Sequence, residues 1–373
     1  MHLYVHVPFC ARRCSYCDFA IAVRRRVPAR AFVDGVAREM ATRDLGGAEL
    51  DTVYLGGGTP SKLGADGVAQ LLDAIRGRFT IARDAEVTIE ANPEDIAVPA
   101  VKSWRDTGVN RVSLGAQSFD DAVLKWMHRT HDAKQIGRAV RDVRESGVEN
   151  VSIDLIFALP DALRRDWTRD LDSAIALEPQ HVSLYGLTVE PATPVGRWTA
   201  RGEMHEAPDE RWAAEFVIAH DTLFRAGYAH YEVSNYARNN ARARHNSAYW
   251  GDRSYIGVGP SAHGFNGSVR RWNESAYARW IAKVDAGSDP IGGSESLTPE
   301  QRAAERVYLG LRSDAGLDVS NAGRDALRVV QQWVTAGWAE FGGHDSRTLR
   351  LTVQGWMRLD ALASALTTIR SHY

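Results

Sequence analysis

The sequence predicts an α/β fold built on a parallel sheet, and three observations carry that prediction. Six short runs rich in apolar and β-branched residues recur through the first half of the chain, and each is followed by a longer stretch with helical spacing. This alternation is the pattern of βαβ units. At 373 residues the chain is also long enough for one large domain with a sizeable core and a smaller one beside it.

The runs are Leu3–Val7, Thr52–Leu55, Glu86–Ala91, Arg111–Leu114, Val151–Phe157 and His181–Tyr185. Between them, Ala29–Thr42 carries Phe32, Val36 and Met40 on one helical face, and Lys134–Ser146 carries Ile136, Val140 and Val143 in the same way. Periodicity alone leaves open whether the sheet is doubly wound or curls toward a barrel. After Tyr185 the pattern turns polar and irregular through Pro208, which places the end of this unit near residue 200. A helix is expected over Asp209–Ala226, followed by YEVSNYAR at Tyr231–Arg238 and HNSAYW at His245–Trp250. Asp285–Pro299 is rich in Gly, Ser, Asp and Pro and reads as a linker. Beyond it, helices over Pro299–Leu311 and Ala322–Gly337, a strand over Thr348–Val353 and a helix over Gly355–Leu366 suggest a small α+β, winged-helix-like module. The expected division is therefore 1–200, 201–290 and 291–373.

Composition narrows the function classes. Apolar residues make up 44% and charged residues 25%, ordinary for a soluble globular protein. A formal net charge of −2 gives no general attraction to nucleic acid or anionic membrane. The Arg24–Arg26 triplet reads as a solvated loop, and no concentrated basic face marks the C-terminal module, so no nucleic acid is expected and the module is assigned a packing or lid role. No window approaches eighteen apolar residues, so no bilayer-spanning helix is expected. The N-terminal run is broken by His2 and His6 and is not a signal peptide. A cytoplasmic location is the expectation.

All three cysteines, Cys10, Cys14 and Cys17, lie within eight residues. An odd count so closely spaced cannot form a paired disulfide framework and points to metal ligation in a reducing compartment. A Cys3His zinc site would need His2 or His6, but strand geometry aims both away from the loop. An iron–sulfur cluster, held by closely spaced thiolates, fits better. Three thiolates for four irons leave one iron open to a small chelating molecule.

The CxxxCxxC spacing, with Tyr16 just before the last cysteine, resembles the cluster loop of the radical S-adenosylmethionine superfamily. Within it, YVHVPFC...C.YCDF over Tyr4–Phe19 resembles the oxygen-independent coproporphyrinogen III oxidase group. The resemblance implies a partial (β/α)6 TIM-like barrel with its site at the C-terminal strand ends. It also implies a 4Fe-4S cluster on Cys10, Cys14 and Cys17, with S-adenosylmethionine on the open iron. Gly57, Gly58 and Thr59, on their own a tight strand-to-helix turn, match the segment that binds the cofactor's amino group. Glu90, Gln117 and Asp154, on their own ligand contacts or satisfied structural residues, match with Arg129 further cofactor positions in order, Arg129 being suited to a carboxylate. Tyr4 and Tyr16 match aromatic positions beside the cofactor. Gly257–His263, GVGPSAH, resembles another segment near it, and a loop turning at the barrel mouth is the plain alternative.

Two departures from the oxidase matter. Phe19 stands where the oxidase has a further cysteine, and Cys10 almost opens the sequence. Both, with the HNxxYW pattern of His245, Asn246, Tyr249 and Trp250, resemble the haem-chaperone branch of the group. By itself His245 reads as a loop histidine. In that branch it belongs to a haem contact, because imidazole suits haem iron and Tyr and Trp stack on a flat macrocycle. The resemblance implies haem as cargo and a haem-acceptor protein as partner, a respiratory protein included, with peripheral membrane contact only through that acceptor. Monomer and homodimer both remain open, and no catalytic residue is assigned. The alternative function is oxidative decarboxylation of coproporphyrinogen III. A third is a radical enzyme acting on RNA through the C-terminal module.

Overall fold

The computed structural model describes residues 1–43, 45, 47–342 and 347–370. Each of the six expected runs forms a strand: β1 (His2–Val7), β2 (Glu49–Gly57), β3 (Thr80–Ala91), β4 (Arg111–Gln117), β5 (Asn150–Phe157) and β6 (His181–Gly186). They are parallel neighbours in chain order. A seventh parallel strand, β7 (Tyr255–Val258), pairs with the other side of β1, Leu3 facing both Ile256 and Val53. Antiparallel strands extend the two ends to twelve strands in all, and the outermost two do not pair with each other, so the sheet is an open, partial barrel.

Alternation explains how a strand buried on both faces is used. In β1, Leu3, Val5 and Val7 are fully buried in the hydrophobic core, where each contributes roughly 1.5–3 kcal/mol. Tyr4 and His6 point the other way, into the barrel interior. Helix α1 (Ala29–Thr42) buries Phe32, Val36 and Met40 as its periodicity requires, and the Phe32 ring meets Phe9 edge-on at 5.5 Å. The helix expected at Lys134–Ser146 runs Ala133–Glu145, because Asp132 and Gln135 form a capping box at its start.

Two expectations are corrected. The stretch read as a linker contains a strand, Ile291–Ser296, which pairs with Val269–Asn273. Its glycines reflect packing: a side chain on Gly293 would come within 2.5 Å of the Trp272 indole. The helix expected at Gly355–Leu366 is two, Val353–Trp356 and Leu359–Arg370.

A short helix, α2 (Arg244–Trp250), closes the N-terminal end of the barrel interior. Its first amides, from Arg244 and His245, donate to the two Glu86 carboxylate oxygens at 2.9 Å each, a favourable place for a negative charge. The C-terminal module joins helices Pro299–Arg312 (α3), Arg324–Thr335 and Leu359–Arg370 to a three-stranded antiparallel sheet. It packs on the main sheet through a fork from Arg242 to Asp314 at 2.8 and 2.6 Å and through His230, whose ring lies 3.9 Å from Tyr236 and 4.3 Å from Trp356.

Candidate functional site

The cysteine loop leaves β1 and returns beside it. Phe9–Cys10 pairs with Ala22–Val23, and the Ser15 amide donates to the Met127 carbonyl at 3.1 Å. The loop is thereby laid over the C-terminal ends of the strands. A cavity of about 510 Å³ opens beneath it, and Cys10, Cys14, Tyr16, Cys17, Gly57, Gly58, Thr59, Glu90, Gln117, Arg129 and Asp154 all line it. Residues from four parallel strands, β2 to β5, and from the loops beside them, up to 144 positions apart in sequence (10 to 154), meet here because parallel strands bring their C-terminal ends to one side.

The turn after β2 explains the glycines. Gly57 has φ +112° and a side chain there would sit 2.7 Å from the His6 ring, while one on Gly58 would sit 2.7 Å from the Pro8 backbone. The freed Gly57 amide donates to Glu90 Oε2 at 3.0 Å, and the Tyr54 hydroxyl donates to Oε1 at 2.8 Å. Burial pushes the Glu90 carboxyl up to about 7, against the pull of these two donors. Asp154 is raised by burial as well and accepts from Ser113 Oγ at 3.1 Å. Gln117 sits at a register shift between β4 and β5, with φ +69°, which turns its side chain into the cavity.

Arg129 is held by Asn92 Oδ1 at 2.6 Å and the Gly115 carbonyl at 2.7 Å, with Nη1 3.5 Å from Cys14 Sγ. Its buried Nε has no hydrogen-bond partner among the described residues. Such a donor on a cavity wall is suited to an anionic ligand group. Burial pushes the Cys17 thiol up to about 11 and raises that of Cys10, whose Sγ lies 3.4 Å from Thr59 Oγ1. Among the described residues no three His, Cys, Asp or Glu side chains converge as a single metal ion requires. A cubane takes one thiolate on each of three separate irons, so three cysteines on one cavity wall suit it. The donor set thus fits a 4Fe-4S cluster, whose charge offsets that of the ligating thiolates. The orphaned Arg129 Nε and the Gly57–Glu90 pair fit the carboxylate and amino group of S-adenosylmethionine.

Residues 4–174 match the radical SAM superfamily. The chain is 36% identical over 376 residues to the haem chaperone HemW of Mycobacterium tuberculosis, covering 98% of this chain and 94% of that one. It is 35% identical over 362 residues to that of a Synechocystis species, covering 93% and 88%. The chain belongs to the HemW family. In fold it is similar to the coproporphyrinogen III oxidase HemN of Escherichia coli, with a TM-score of 0.83 at 22% identity, covering 99% of this chain and 90% of that one. The family carries a 4Fe-4S cluster, S-adenosylmethionine and haem.

In this HemW-family chain the HNxxYW segment is α2, and it divides its residues between two environments. His245 is fully buried. Its Nδ1 pairs with Thr52 Oγ1 at 2.6 Å and its Nε2 with the Tyr249 hydroxyl at 2.8 Å, and burial lowers the imidazole to about 3. Both ring nitrogens are therefore engaged, which departs from the expectation of a histidine open to haem iron. Tyr249 and Trp250 line a second cavity of about 600 Å³. Asn246 is half-buried and lines neither cavity.

Tyr4 is also placed differently from expectation. It lines the second cavity and not the first, with its hydroxyl 3.1 Å from His6 Nδ1 and its ring stacked on Tyr54 at 6.0 Å. Asp18 and Phe19 line both cavities, so the segment after Cys17 is the partition between them.

Sequence reasoning missed Tyr54 and Asn92, which hold Glu90 and Arg129. The signal for Tyr54 was present: with Thr52 and Gly56 it shares one face of β2 by simple alternation. Asn92 lies past the end of β3 and carried none.

Proposed function

We propose that this protein binds haem and transfers it to an acceptor protein, on a scaffold that holds a 4Fe-4S cluster through Cys10, Cys14 and Cys17 with S-adenosylmethionine at the open iron. The observation that carries the reading is the second cavity, walled by Tyr249 and Trp250 of the HNxxYW segment and sharing Asp18 and Phe19 with the wall of the cysteine cavity. Its volume falls within the range usual for small-molecule and cofactor sites, and its aromatic rings suit the faces of a macrocycle.

In this reading Arg129 pairs the cofactor carboxylate, while Gly57, Gly58, Thr59 and Glu90 receive its amino group. Gln117 and Asp154 bound the far wall and Tyr16 the near one, and Tyr4 backs Tyr54. The cluster supplies reducing chemistry to the cofactor's sulfonium when loaded. His245 orients Tyr249, and Asn246 completes the segment without a cavity contact. We divide the chain at about residue 200 and again just past Ser296, beyond the 290 expected from sequence, because Ile291–Ser296 belongs to the main sheet.

Among the described residues no helix is long and apolar enough to cross a membrane. We infer a cytoplasmic protein, monomer or homodimer, that meets a membrane only through its acceptor.

Anaerobic reconstitution with iron, sulfide and S-adenosylmethionine, followed by haem titration, tests the reading. One haem per chain, released on addition of an apo-acceptor, is the expected outcome. Absence of haem uptake together with turnover of coproporphyrinogen III would overturn it in favour of the oxidase.

A further inference from the structure

We propose that the haem iron is ligated in the second cavity by His263, with Arg253 meeting a propionate. The inference rests on the haem-binding reading above and names the site within it. Two histidines line this cavity, His6 and His263. His6 is spent: its Nδ1 pairs with the Tyr4 hydroxyl and its Nε2 with the Ala20 carbonyl at 3.0 Å. His245 lies outside the cavity with both nitrogens engaged. His263 is exposed, and among the described residues neither of its ring nitrogens has a hydrogen-bond partner. Its ring lies beside the Trp272 indole, 25° from parallel and 5.9 Å between centres. Partial desolvation against the cavity wall and the nearby Arg270 lower its imidazole, which favours the uncharged, lone-pair-bearing form that iron requires.

The backbone is built to deliver that ring. The turn GVGPSAH brings His263 back against the end of β7, where a side chain on Gly257 would overlap the His263 carbonyl at 1.9 Å. Gly259, with φ +92°, passes its Cα so close to β1 that a side chain would lie 2.5 Å from the His6 carbonyl. The Gly259 amide is pinned by Glu39 Oε2 at 2.9 Å. A motif read from sequence as a loop at the barrel mouth thus has a specific geometric product, an imidazole presented beside an aromatic wall.

The charges at the rim agree. Arg270 is taken by Glu295 and Glu305, whereas Arg253 is exposed and makes no ion pair among the described residues. It is the cavity's free cation, matched to a carboxylate.

The test titrates ferric haem into the reconstituted full chain and reads affinity, the Soret band and the electron paramagnetic resonance signal of the ferric haem. His263→Ala is expected to weaken binding about tenfold or more and to change the wild-type Soret band and ferric signal, with iron and sulfide of the cluster unchanged. His263→Met is expected to keep haem but move the Soret band, a change that a merely structural role does not produce. Arg253→Ala is expected to weaken binding a few-fold with the band unmoved. If wild-type protein takes up haem but the spectrum and affinity of His263→Ala equal its own, the assignment is overturned. If wild-type protein takes up no haem, the haem-binding reading itself has failed.

Discussion

The Tyr54 hydroxyl donates to Glu90 at 2.8 Å while the Tyr54 ring stacks on the His245 imidazole, 5.1 Å between centres. One side chain therefore touches the Glu90 carboxyl at the cysteine-loop end of the barrel and the histidine of the segment that closes its other end. Tyr54→Phe keeps the stack and removes the donor. Glu90 then loses one of the two hydrogen bonds that favour its ionised form, and its carboxyl moves above about 7. Affinity for S-adenosylmethionine, measured by calorimetry at neutral pH, is expected to fall by about tenfold.

The same group sets a pH dependence. The folded-state value for Glu90 is raised to about 7 from an ordinary 4.5, so between those values the folded chain holds a proton that the unfolded chain releases. Its contribution to stability is full below about pH 4.5 and is lost as pH rises toward 7. Cofactor binding runs the other way, because the amino group pairs with the carboxylate. Calorimetric affinity for S-adenosylmethionine is expected to rise from about pH 6 to about pH 8, and a flat profile in wild-type protein counts against the Glu90 contact.

Because the two cavities are separate, cluster and haem are expected to come apart by mutation. Cys14→Ala should lower cluster iron and sulfide to background, measured after anaerobic reconstitution. Haem affinity in the same variant should stay within about threefold of wild type. Parallel loss of both would show that haem depends on the cluster cavity.

Glu39 is a buried hub for the wall that carries His263. It accepts from Arg43 at 2.9 Å, Asn273 at 2.7 Å, Trp280 at 2.8 Å and the Gly259 amide at 2.9 Å. Burial raises its carboxyl and lowers the Arg43 guanidinium, each in part restored by the other. Glu39→Ala leaves the Arg43 cation buried without its partner, and a cost of about 3–5 kcal/mol is expected in urea denaturation. Glu39→Gln, which keeps the shape and part of the bonding, should cost less.

Phe19 is 61% exposed although it sits on the partition between the cavities. Phe19→Ala should leave stability within about 0.5 kcal/mol and weaken haem binding several-fold, read by titration, since it removes an aromatic face from the cavity without disturbing the core.

The six parallel strands, helix α1 and the cysteine loop were legible because each is written locally. Alternation, a 3.6-residue period and three thiols in eight positions need no knowledge of the rest of the chain. Glu90, Gln117, Arg129 and Asp154 came from the family resemblance, and the parallel strands then bring them to one cavity. The sequence could not say which way the HNxxYW segment would face. His245 is buried because α2 enters the barrel, held by Glu86 and Thr52, residues 159 and 193 positions away. Tyr4 faces the second cavity because β7, some 250 residues later, pairs with β1 and builds that cavity's wall. The Gly-rich stretch at 291–296 became a strand because it pairs with Val269–Asn273, where Gly293 leaves room for the Trp272 indole. Local pattern decides the element, but the cavity a side chain faces depends on partners distant in sequence, and only the folded chain brings those together.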